Sequence, residues 1–451
     1  MSTVSSIDLP APRPALLRSP TMFLCCVGVV LPNALSIAAL IAGIGVPPRT
    51  TAIIAYATLA VAARFSPPRF VVPLYVLIAI YDAASTIALL FGLATSDVVA
   101  ALRFASELRF FQSPFYVSLG FAAVALAGAN AFLLAGRRER LRQGQPLVMM
   151  LLAAAVAAAD LFTNTSAHYD YGRFFAAGKP MESAASASGF RQAALSAEHR
   201  NVLLIVVESL GHLADPAQQS MLMSPLNDPE LNKRYDVHTG STTYYGSTTA
   251  AEMRELCNTR EPYQGLLEGL RLVCMPELMA ARGYRTISLH NFGRKFFDRE
   301  YWYPKIGFQR MIFADDLIGS VKRSCGGPFR GPCDVDMIPT IASELRQTDK
   351  PTFFYWMTLS THVPIAPHEG TPRLNCEHDG GRLGQEEVCY MTEMWIDLLQ
   401  AVITMAARLP PAEILLVGDH APPLWSKQGR HLFTPGQVSW VRLTPRGASQ
   451  H

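Results

Sequence analysis

The stretch NVLLIVVES, residues 201–209, decides the fold of the second half of this chain. A short, apolar, β-branched run of this kind is typical of a strand that is buried on both faces of a sheet. A similar run, ILLV at 414–417, comes near the other end of the chain. Between them lie TISL at 286–289 and FFYWM at 353–357, which follow predicted helices at 275–282 and 337–346. Strands that alternate with helices predict an α/β domain around a mostly parallel sheet.

Reactive side chains come soon after each of these four strands. They are Glu208, His290, Thr361 with His362, and Asp419 with His420. Ligands of open α/β sheets gather beyond the carboxyl ends of the strands, so these side chains are expected to share one edge. An adjacent Asp and His suit a divalent metal ion, which accepts carboxylate oxygen and imidazole nitrogen together.

The stretch GSTTAAE, residues 246–252, supplies a candidate nucleophile. Thr249 and Glu252 have the spacing of a capping box, which assigns Thr249 a structural role. Thr248 then lies where helix amides and the helix dipole favour a phosphoryl group. A metal-bound hydroxyl is a usable nucleophile, so we predict this role for Thr248. The alternative is an ordinary Ser/Thr-rich helix cap.

The first part of the chain has a different composition. Half of the 451 residues are hydrophobic and only 17% are charged, and charges are nearly absent from most of the first 163 residues. We therefore predict a transmembrane domain at 1–163, a linker at 164–200 and an exported catalytic domain at 201–451. A net charge of +3 is too small to indicate a nucleic-acid partner.

Five apolar segments make up the predicted transmembrane domain. Four have the length of a membrane crossing, at 19–48, 70–94, 114–134 and 146–162. The remaining segment, 51–63, is the second in chain order; it is short and alone resembles a buried helix of a soluble protein, but its place between two spans favours a crossing.

Arginine placement predicts the orientation of these spans. Arg13 and Arg18 precede the first span, Arg64 and Arg69 follow the second, and a cluster at 137–142 separates the fourth and fifth. With five spans all three groups lie on the cytoplasmic side, as the positive-inside rule requires. Everything after Phe162 is then expected outside the cytoplasm, in the periplasm if the cell is Gram-negative, and we predict a multi-pass protein of the bacterial inner membrane.

The segment Val98 to Phe111 interleaves apolar and charged residues. This pattern suits an amphipathic helix on the outer membrane surface, and an ordinary connecting loop is the alternative.

Six of the eight cysteines fall in the second half of the chain, which suits disulfides in an exported domain. Six cysteines allow fifteen pairings, and we prefer the local one because each bond closes a short loop. It joins Cys257 to Cys274, Cys325 to Cys333 and Cys376 to Cys389. None of these pairs has the tight spacing of a zinc ribbon.

These motifs resemble the lipoteichoic-acid synthases and lipid A phosphoethanolamine transferases, membrane branches of the alkaline phosphatase and sulfatase superfamily. The resemblance covers the whole chain and rests on 201–209, 246–252 and 418–420, in the family's order. It implies one catalytic ion, zinc in the first place and manganese or magnesium otherwise. The implied ligands are Glu208, Thr248, Asp419 and His420.

The same resemblance implies substrate-contacting residues. In HNFGRKFFDR, residues 290–299, His290 and Arg299 match positions that flank a phosphate pocket, although Arg299 could instead pair with a surface acid. In LSTHVP, residues 359–364, His362 matches a residue beside the nucleophile, and we predict a catalytic role for it as an acid-base or charge-stabilising partner. His431 matches a late His of the phosphoethanolamine transferases more loosely.

Departures from both branches leave the substrate open. Ala250 stands where the synthases often carry an acid, and the Pro-Cys pattern of the lipid A transferases is missing. The chain also lacks a sulfatase Cys-x-Pro-x-Arg stretch near the first strand, so sulfate-ester hydrolysis is not expected.

The implied reaction moves a phospho-head-group from a membrane phospholipid, phosphatidylethanolamine first, to a glycan or lipid A-like acceptor. Glycerol-phosphate transfer, phosphodiester hydrolysis and a non-catalytic envelope-binding relative are the alternatives.

Overall fold

A computed structural model describes residues 19–91, 95–164, 182–196, 200–347 and 349–447. The chain forms two compact units, one made of 1–42, 46–86 and 118–164 and the other of 43–45, 87–117 and 165–451. Arg13, Arg18, the last residues of the predicted third span and most of the predicted linker lie outside the described residues.

The first 164 residues are helical over most of their described length. The helices are α1 (Pro20–Cys25), α2 (Ala34–Ile41), α3 (Thr50–Ala62), α4 (Pro68–Phe91), α5 (Thr95–Ala101), α6 (Pro114–Gly136), α7 (Arg138–Gln143) and α8 (Pro146–Asn164). A π-helical stretch, Cys26–Val30, follows α1.

Three of these helices, α4, α6 and α8, are long and apolar enough to cross a membrane. The helical stretch Pro20–Val30 and α2 meet at a bend of 73°, so together they amount to at most one broken crossing. Helix α3 is apolar but has only 13 residues. The described residues thus contain three membrane-length helices, or four with the bent pair, where the sequence predicted five.

A buried polar cluster connects several helices of this first unit. Arg49, just before α3, pairs with Asp82 on α4 and also donates to the hydroxyl of Ser36 on α2. Its backbone amide donates to Asp160 on α8 at 2.8 Å. Because charged groups in an apolar environment need partners, this cluster fixes the mutual placement of these helices.

Within the described residues, the second unit contains α5 and eleven further α-helices. They are α9 (Ala184–Ala187), α10 (Phe190–Ser196), α11 (Pro216–Leu222), α12 (Pro229–Arg234), α13 (Thr248–Cys257), α14 (Tyr263–Leu267), α15 (Met275–Ala281), α16 (Arg299–Trp302), α17 (Ile338–Leu345), α18 (Glu386–Arg408) and α19 (Lys427–His431).

Its strands are β1 (Val202–Val207), β2 (Gly211–Leu213), β3 (Tyr235–Thr243), β4 (Arg285–His290), β5 (Arg310–Phe313), β6 (Ser324–Cys325), β7 (Gly331–Pro332), β8 (Thr352–Met357), β9 (Glu413–Gly418) and β10 (Phe433–Pro445). The main sheet has the order β2-β10-β9-β1-β8-β4-β5, and β3 also pairs with β10, over residues 437–445. Strands β9, β1, β8, β4 and β5 are parallel, whereas β10 runs antiparallel to its neighbours. The predicted α/β domain with a mostly parallel sheet is therefore confirmed.

Strand β1 lies at the centre of the sheet, between β8 and β9. Every residue of these three strands is buried. Leu203, Ile205 and Val207 face one apolar core, while their alternating neighbours on β1 face the other. This explains why the sequence shows a continuous apolar run rather than an alternating one.

All three predicted disulfides are present: Cys257 with Cys274, Cys325 with Cys333, and Cys376 with Cys389. The two remaining cysteines, Cys25 and Cys26, are free thiols.

The segment from Val98 to Phe111 is helical, but in pieces. Helix α5 continues into two 3₁₀ turns, Leu102–Glu107 and Phe110–Gln112. Phe104 is buried in a cluster with Phe292, Phe296 and Leu359 of the same unit. The segment is therefore packed against the α/β domain rather than being a free loop, and its membrane contact stays a prediction.

Candidate active site

The register of the central strands brings two carboxylates together. Val207 of β1 pairs with Gly418 of β9 in a parallel ladder, so the next residues, Glu208 and Asp419, leave the same edge side by side. Ser209 turns the chain away in the left-handed region, with φ of 58°. Its amide donates to Oδ1 of Asp419 at 2.7 Å and its hydroxyl donates to Oε1 of Glu208 at 2.9 Å.

Asp419 and His420 present free ligand atoms to the same point. Oδ1 of Asp419 accepts the amides of Ser209 and His420, but the buried Oδ2 has no hydrogen-bond partner. Nε2 of His420 lies 3.3 Å from that Oδ2 and 3.8 Å from Oε1 of Glu208. Nδ1 of His420 lies 3.0 Å from the carbonyl of Ala421, which assigns the hydrogen to Nδ1 and leaves the lone pair of Nε2 facing the carboxylates.

This arrangement fits a divalent cation. Ligand atoms of Glu208, Asp419 and His420 lie within 4.8 Å of one another, and all three residues are buried. Burial, together with the nearby charge of Asp419, raises the pKa of Glu208 well above its ordinary value. Two buried carboxylates repel each other unless a cation lies between them, so the orphaned Oδ2 and the lone pair of His420 are matched to a metal ion.

Thr248 lies beside this group. Its Oγ1 is 3.5 Å from Nε2 of His420. Thr248 is the first residue of α13, a helix of ten residues that begins after Ser247. A hydroxyl at the first residue of a helix lies near the unpaired amides of the helix N-terminus, and this one also lies beside the group of Glu208, Asp419 and His420.

The predicted capping box at this helix is wrong. The N-cap is Ser247, one position before Thr248, and no side chain caps the helix. Glu252 cannot reach back because its carboxylate is buried in another cluster, where it binds Arg299. The helix begins earlier than predicted, so Thr248 itself is its first residue.

Two of the predicted site residues, the substrate contact His290 and the catalytic residue His362, are neutral histidines. His290 ends β4, with Nδ1 3.3 Å from the carbonyl of Met357, and burial with the charge of Arg299 holds its pKa well below the ordinary value. His362 follows β8, and burial lowers its pKa to about 3. The ring of His362 packs on Phe329, with centroids 3.7 Å apart, and its Nδ1 lies 2.9 Å from the carbonyl of Val363. Its Nε2 then carries a lone pair.

Arg299 has a different setting from the one that a phosphate contact needs. It is 1% exposed, and Nε and Nη2 both donate to Glu252 on α13, at 3.1 and 2.8 Å. Nη1 donates to the carbonyl of Phe296 at 3.1 Å. The sequence left open that Arg299 pairs with an acidic residue on the surface. It does pair with an acidic residue, but that residue, Glu252, is buried.

His431 ends α19 and is exposed. It does not belong to the group of ligand atoms around Asp419. Its predicted substrate role stays a prediction.

A family model, Sulfatase, matches residues 200–440, which is more than half of the chain. The chain belongs to the sulfatase family. This confirms the predicted superfamily and places the chain in a family of enzymes. No curated protein matches the chain.

The sulfatase-family domain is also similar to several solved structures. The lipoteichoic acid synthase LtaP from Listeria monocytogenes is 16% identical over 56% of this chain and 67% of its own, with a TM-score of 0.44. Streptococcus pyogenes phosphoglycerol transferase GacH, solved with sn-glycerol-1-phosphate, is 15% identical over 60% and 77%, with a TM-score of 0.41. The periplasmic domain of Escherichia coli EptC, solved with Zn, is 13% identical over 56% and 74%, with a TM-score of 0.36. At this level the likeness assigns no substrate.

Sequence reasoning missed three buried residues that support this sulfatase-family site. Ser209 donates to both carboxylates, Asp334 accepts the amides of Leu359 and Ser360 just before His362, and Arg254 contacts the Asp419 loop. Of these three, Arg254 could have been noticed in the sequence. It is a charged residue six positions after Thr248, in a helix that also has to bury an apolar face.

Proposed function

We propose that this protein transfers a phospho-head-group from a membrane phospholipid to an envelope acceptor through a phosphorylated Thr248. The observation that carries the proposal is the position of Thr248, whose Oγ1 lies 3.5 Å from Nε2 of His420 at the first turn of α13. A hydroxyl placed against a carboxylate and imidazole cation site is the arrangement of an activated nucleophile.

Glu208, Asp419, His420 and Thr248 would hold the ion, for which zinc is our first choice. When bound, a divalent ion lowers the pKa of a coordinated hydroxyl and offsets negative charge on the transferred phosphoryl group. The amides at the start of α13 add partial positive charge on the same side of that group.

The chain's own residues then perform two displacements. In the first, a bond forms between Oγ1 of Thr248 and phosphorus, the bond from phosphorus to the lipid oxygen breaks, and diacylglycerol leaves with the proton that Thr248 loses. In the second, the acceptor oxygen bonds to phosphorus, the bond from phosphorus to Oγ1 breaks, and Thr248 recovers its hydroxyl with the proton that the acceptor loses. His362 is neutral and has a lone pair on Nε2, so we assign to it the proton that the acceptor hydroxyl loses.

Phosphoethanolamine is our first choice of head group, with glycerol phosphate as the alternative. His290 is proposed as a head-group or phosphate contact, because it ends β4 at the same edge of the sheet. It is two strands away from β1, a separation of about 10 Å that spans a phospho-head-group. For Arg299 we propose support of α13 through Glu252 rather than substrate contact.

We further propose five membrane crossings, with domains at 1–163, 164–200 and 201–451, a cytoplasmic N-terminus and a periplasmic catalytic domain. The arginine distribution and the three disulfides of the second unit support this topology. Accessibility of single cysteines, introduced into the loops of a Cys25→Ser/Cys26→Ser chain, to a membrane-impermeant reagent in spheroplasts tests it. Labelling of the loop at 137–145 in intact spheroplasts would contradict it.

The deciding experiment uses the full chain in detergent with zinc and a phospholipid that is radiolabelled in its phosphate. Phosphatidylethanolamine is expected to leave covalent label on Thr248, located by peptide mass spectrometry. Thr248→Ala should lose all label and Thr248→Ser should keep part of it. Label that persists in Thr248→Ala refutes the nucleophile assignment.

The same assay separates the alternatives. Label from phosphatidylglycerol but not from phosphatidylethanolamine would replace the proposed head group by glycerol phosphate. Steady release of free phosphoethanolamine, at the same rate with and without envelope glycolipids, would make the protein a hydrolase.

A further inference from the structure

A fully buried arginine connects the helix of the nucleophile to the loop of the metal ligands. Arg254 lies on α13 and is 0% exposed. Its Nη2 donates to the carbonyl of Gly418 at 3.0 Å and its Nη1 donates to the carbonyl of Asp419 at 3.3 Å. One guanidinium therefore binds the two consecutive peptide groups that flank Asp419, the first residue of the candidate ligand pair.

The third face of this guanidinium is occupied by the neighbouring residue, Glu255. Nε of Arg254 donates to Oε1 of Glu255 at 2.6 Å, and both side chains are 0% exposed. The same carboxylate accepts the hydroxyl of Ser183 at 2.9 Å and the amides of Ala184 and Ala185 at 3.2 and 2.8 Å. Both charges thus have partners on every side, as a buried pair requires.

We propose that Arg254 is a positioning residue of the metal centre, which sets the distance between Thr248 and the Asp419–His420 pair. The inference rests on the proposed metal-dependent function. Thr248 and Arg254 lie about 9 Å apart along one helix, so they move as one body. Through its hydrogen bonds to the carbonyls of Gly418 and Asp419, Arg254 fixes the position of this helix relative to the ligand loop.

The negative charge of Glu255 balances the positive charge of Arg254. A lone guanidinium this close to the ligands would oppose binding of a divalent cation. The ion pair with Glu255 cancels that charge and leaves the directional hydrogen bonds, so geometry is controlled without a net positive field. Ser183, Ala184 and Ala185 in turn hold the carboxylate in place from the segment that precedes α10.

Lysine cannot replace this arginine. The planar guanidinium donates hydrogen bonds to three acceptors that lie in different directions. The ammonium group of a lysine keeps the positive charge but cannot reproduce this fixed donor geometry. Arg254→Lys is therefore the variant that removes positioning and preserves charge.

The chain offers a matched control. Arg442 on β10 pairs through Nε with Glu413 at 2.6 Å, and its Nη1 donates to the carbonyl of Ser188. Glu413 begins β9, about 20 Å along the strand from the Asp419 end. Arg442→Lys thus alters a largely buried arginine pair in the same sheet without touching the ligand loop.

The test measures the zinc Kd of the full chain in detergent by competition with a chromophoric chelator, and the thermal midpoint of the metal-free protein. Arg254→Lys and Arg442→Lys are both expected to lower the midpoint. Of these two, Arg254→Lys alone should raise the zinc Kd, by tenfold or more. Glu255→Gln should also raise it, because it leaves a buried cation near the site. This variant serves as the test if Arg254→Lys does not fold.

A folded Arg254→Lys protein with a zinc Kd within about twofold of the parent overturns the inference, as does an equal rise in Arg442→Lys. If Glu255→Gln has to serve as the test, a zinc Kd within about twofold of the parent overturns it in the same way. A parent chain that binds no zinc, manganese or magnesium instead overturns the proposed function on which the inference rests. The two failures are thus distinguishable in one set of titrations.

Discussion

Arg299 donates hydrogen bonds from Nε and Nη2 to the carboxylate of Glu252, at 3.1 and 2.8 Å. The same carboxylate accepts the hydroxyl of Tyr303 and, at 3.1 Å, that of Tyr355. Burial raises the pKa of both tyrosines well above the ordinary value, so both remain protonated donors. Glu252 lies on α13 and Tyr355 on β8, so this cluster attaches the helix of Thr248 to the sheet.

The first prediction concerns the stability that this cluster provides. Glu252→Gln leaves the buried charge of Arg299 without a counter-ion, so the free energy of unfolding should fall by about 3–5 kcal/mol. Denaturant titration of the full chain in detergent, followed by tryptophan fluorescence, measures it. Arg323→Ala, which removes the exposed pair with Asp336, should cost less than about 1 kcal/mol. Equal losses in the two variants would contradict the prediction.

The second prediction concerns the orphaned oxygen of Asp419. Asp419→Asn keeps Oδ1 for the amides of Ser209 and His420 but replaces Oδ2 by an amide group that cannot bind a cation. Bound zinc, measured by elemental analysis after gel filtration, should fall from about one equivalent per chain to a small fraction of that. Glu413→Gln, at the opposite end of the same strand, should retain the metal. Full zinc content in Asp419→Asn would exclude Asp419 as a ligand.

The third prediction concerns pH. Burial raises the pKa of Asp334 to about 6, above its ordinary value near 3.8. Between these values the folded state binds more protons than the unfolded state, so the contribution of Asp334 is fully present below pH 3.8 and is lost as the pH rises through 6. The loss amounts to about 3 kcal/mol.

Asp334→Asn isolates this contribution. The difference in unfolding free energy between parent and variant, measured in a chelator from pH 4 to pH 7, should shrink as the pH rises. The variant is expected to be less stable at pH 4, because its amide faces the backbone amide of Ser360. A difference that is constant with pH would show that Asp334 does not titrate in this range.

The fourth prediction concerns the bond between Cys257 and Cys274, which starts from the last residue of α13. Cys257→Ser/Cys274→Ser should lower the free energy of unfolding by about 2–4 kcal/mol, since the bond closes a loop of 17 residues. Cys25→Ser/Cys26→Ser, which removes the free thiols, is the matched control and should be within about 1 kcal/mol of the parent. A loss confined to the control pair would contradict the assignment.

The central sheet was accessible from the sequence because its strands are buried on both faces. The apolar runs at 201–207, 286–289, 353–357 and 414–417 match β1, β4, β8 and β9 to within one residue at each end. The strand ends then located the metal-ligand candidates, because parallel register carries adjacent C-terminal residues to one edge.

What the sequence concealed is mostly long-range pairing. Strand β10 contains Pro435 and Gly436, which favour a turn and fall in an irregular part of its pairing with β2, whereas β3 and β9 pair with the residues that follow. Glu252 has the spacing of a cap residue, and only the tertiary structure provides Arg299 as a stronger partner. Sequence patterns indicate the local conformational preference of a segment. The partner of a buried charged side chain, by contrast, depends on which residues the tertiary structure places beside it.

The hydrogen bond from the amide of Ser209 to Asp419 joins residues 210 positions apart. Glu208 and Thr248 are therefore synthesised long before the residues that complete their candidate site. A chain that stops before β9 (Glu413–Gly418) has the proposed nucleophile but no complete ligand set, and β1 then lacks its partner strand on one side. If the proposed transfer is correct, activity toward phospholipid becomes possible only when nearly the whole polypeptide has been made, so an unfinished chain cannot cleave phospholipid.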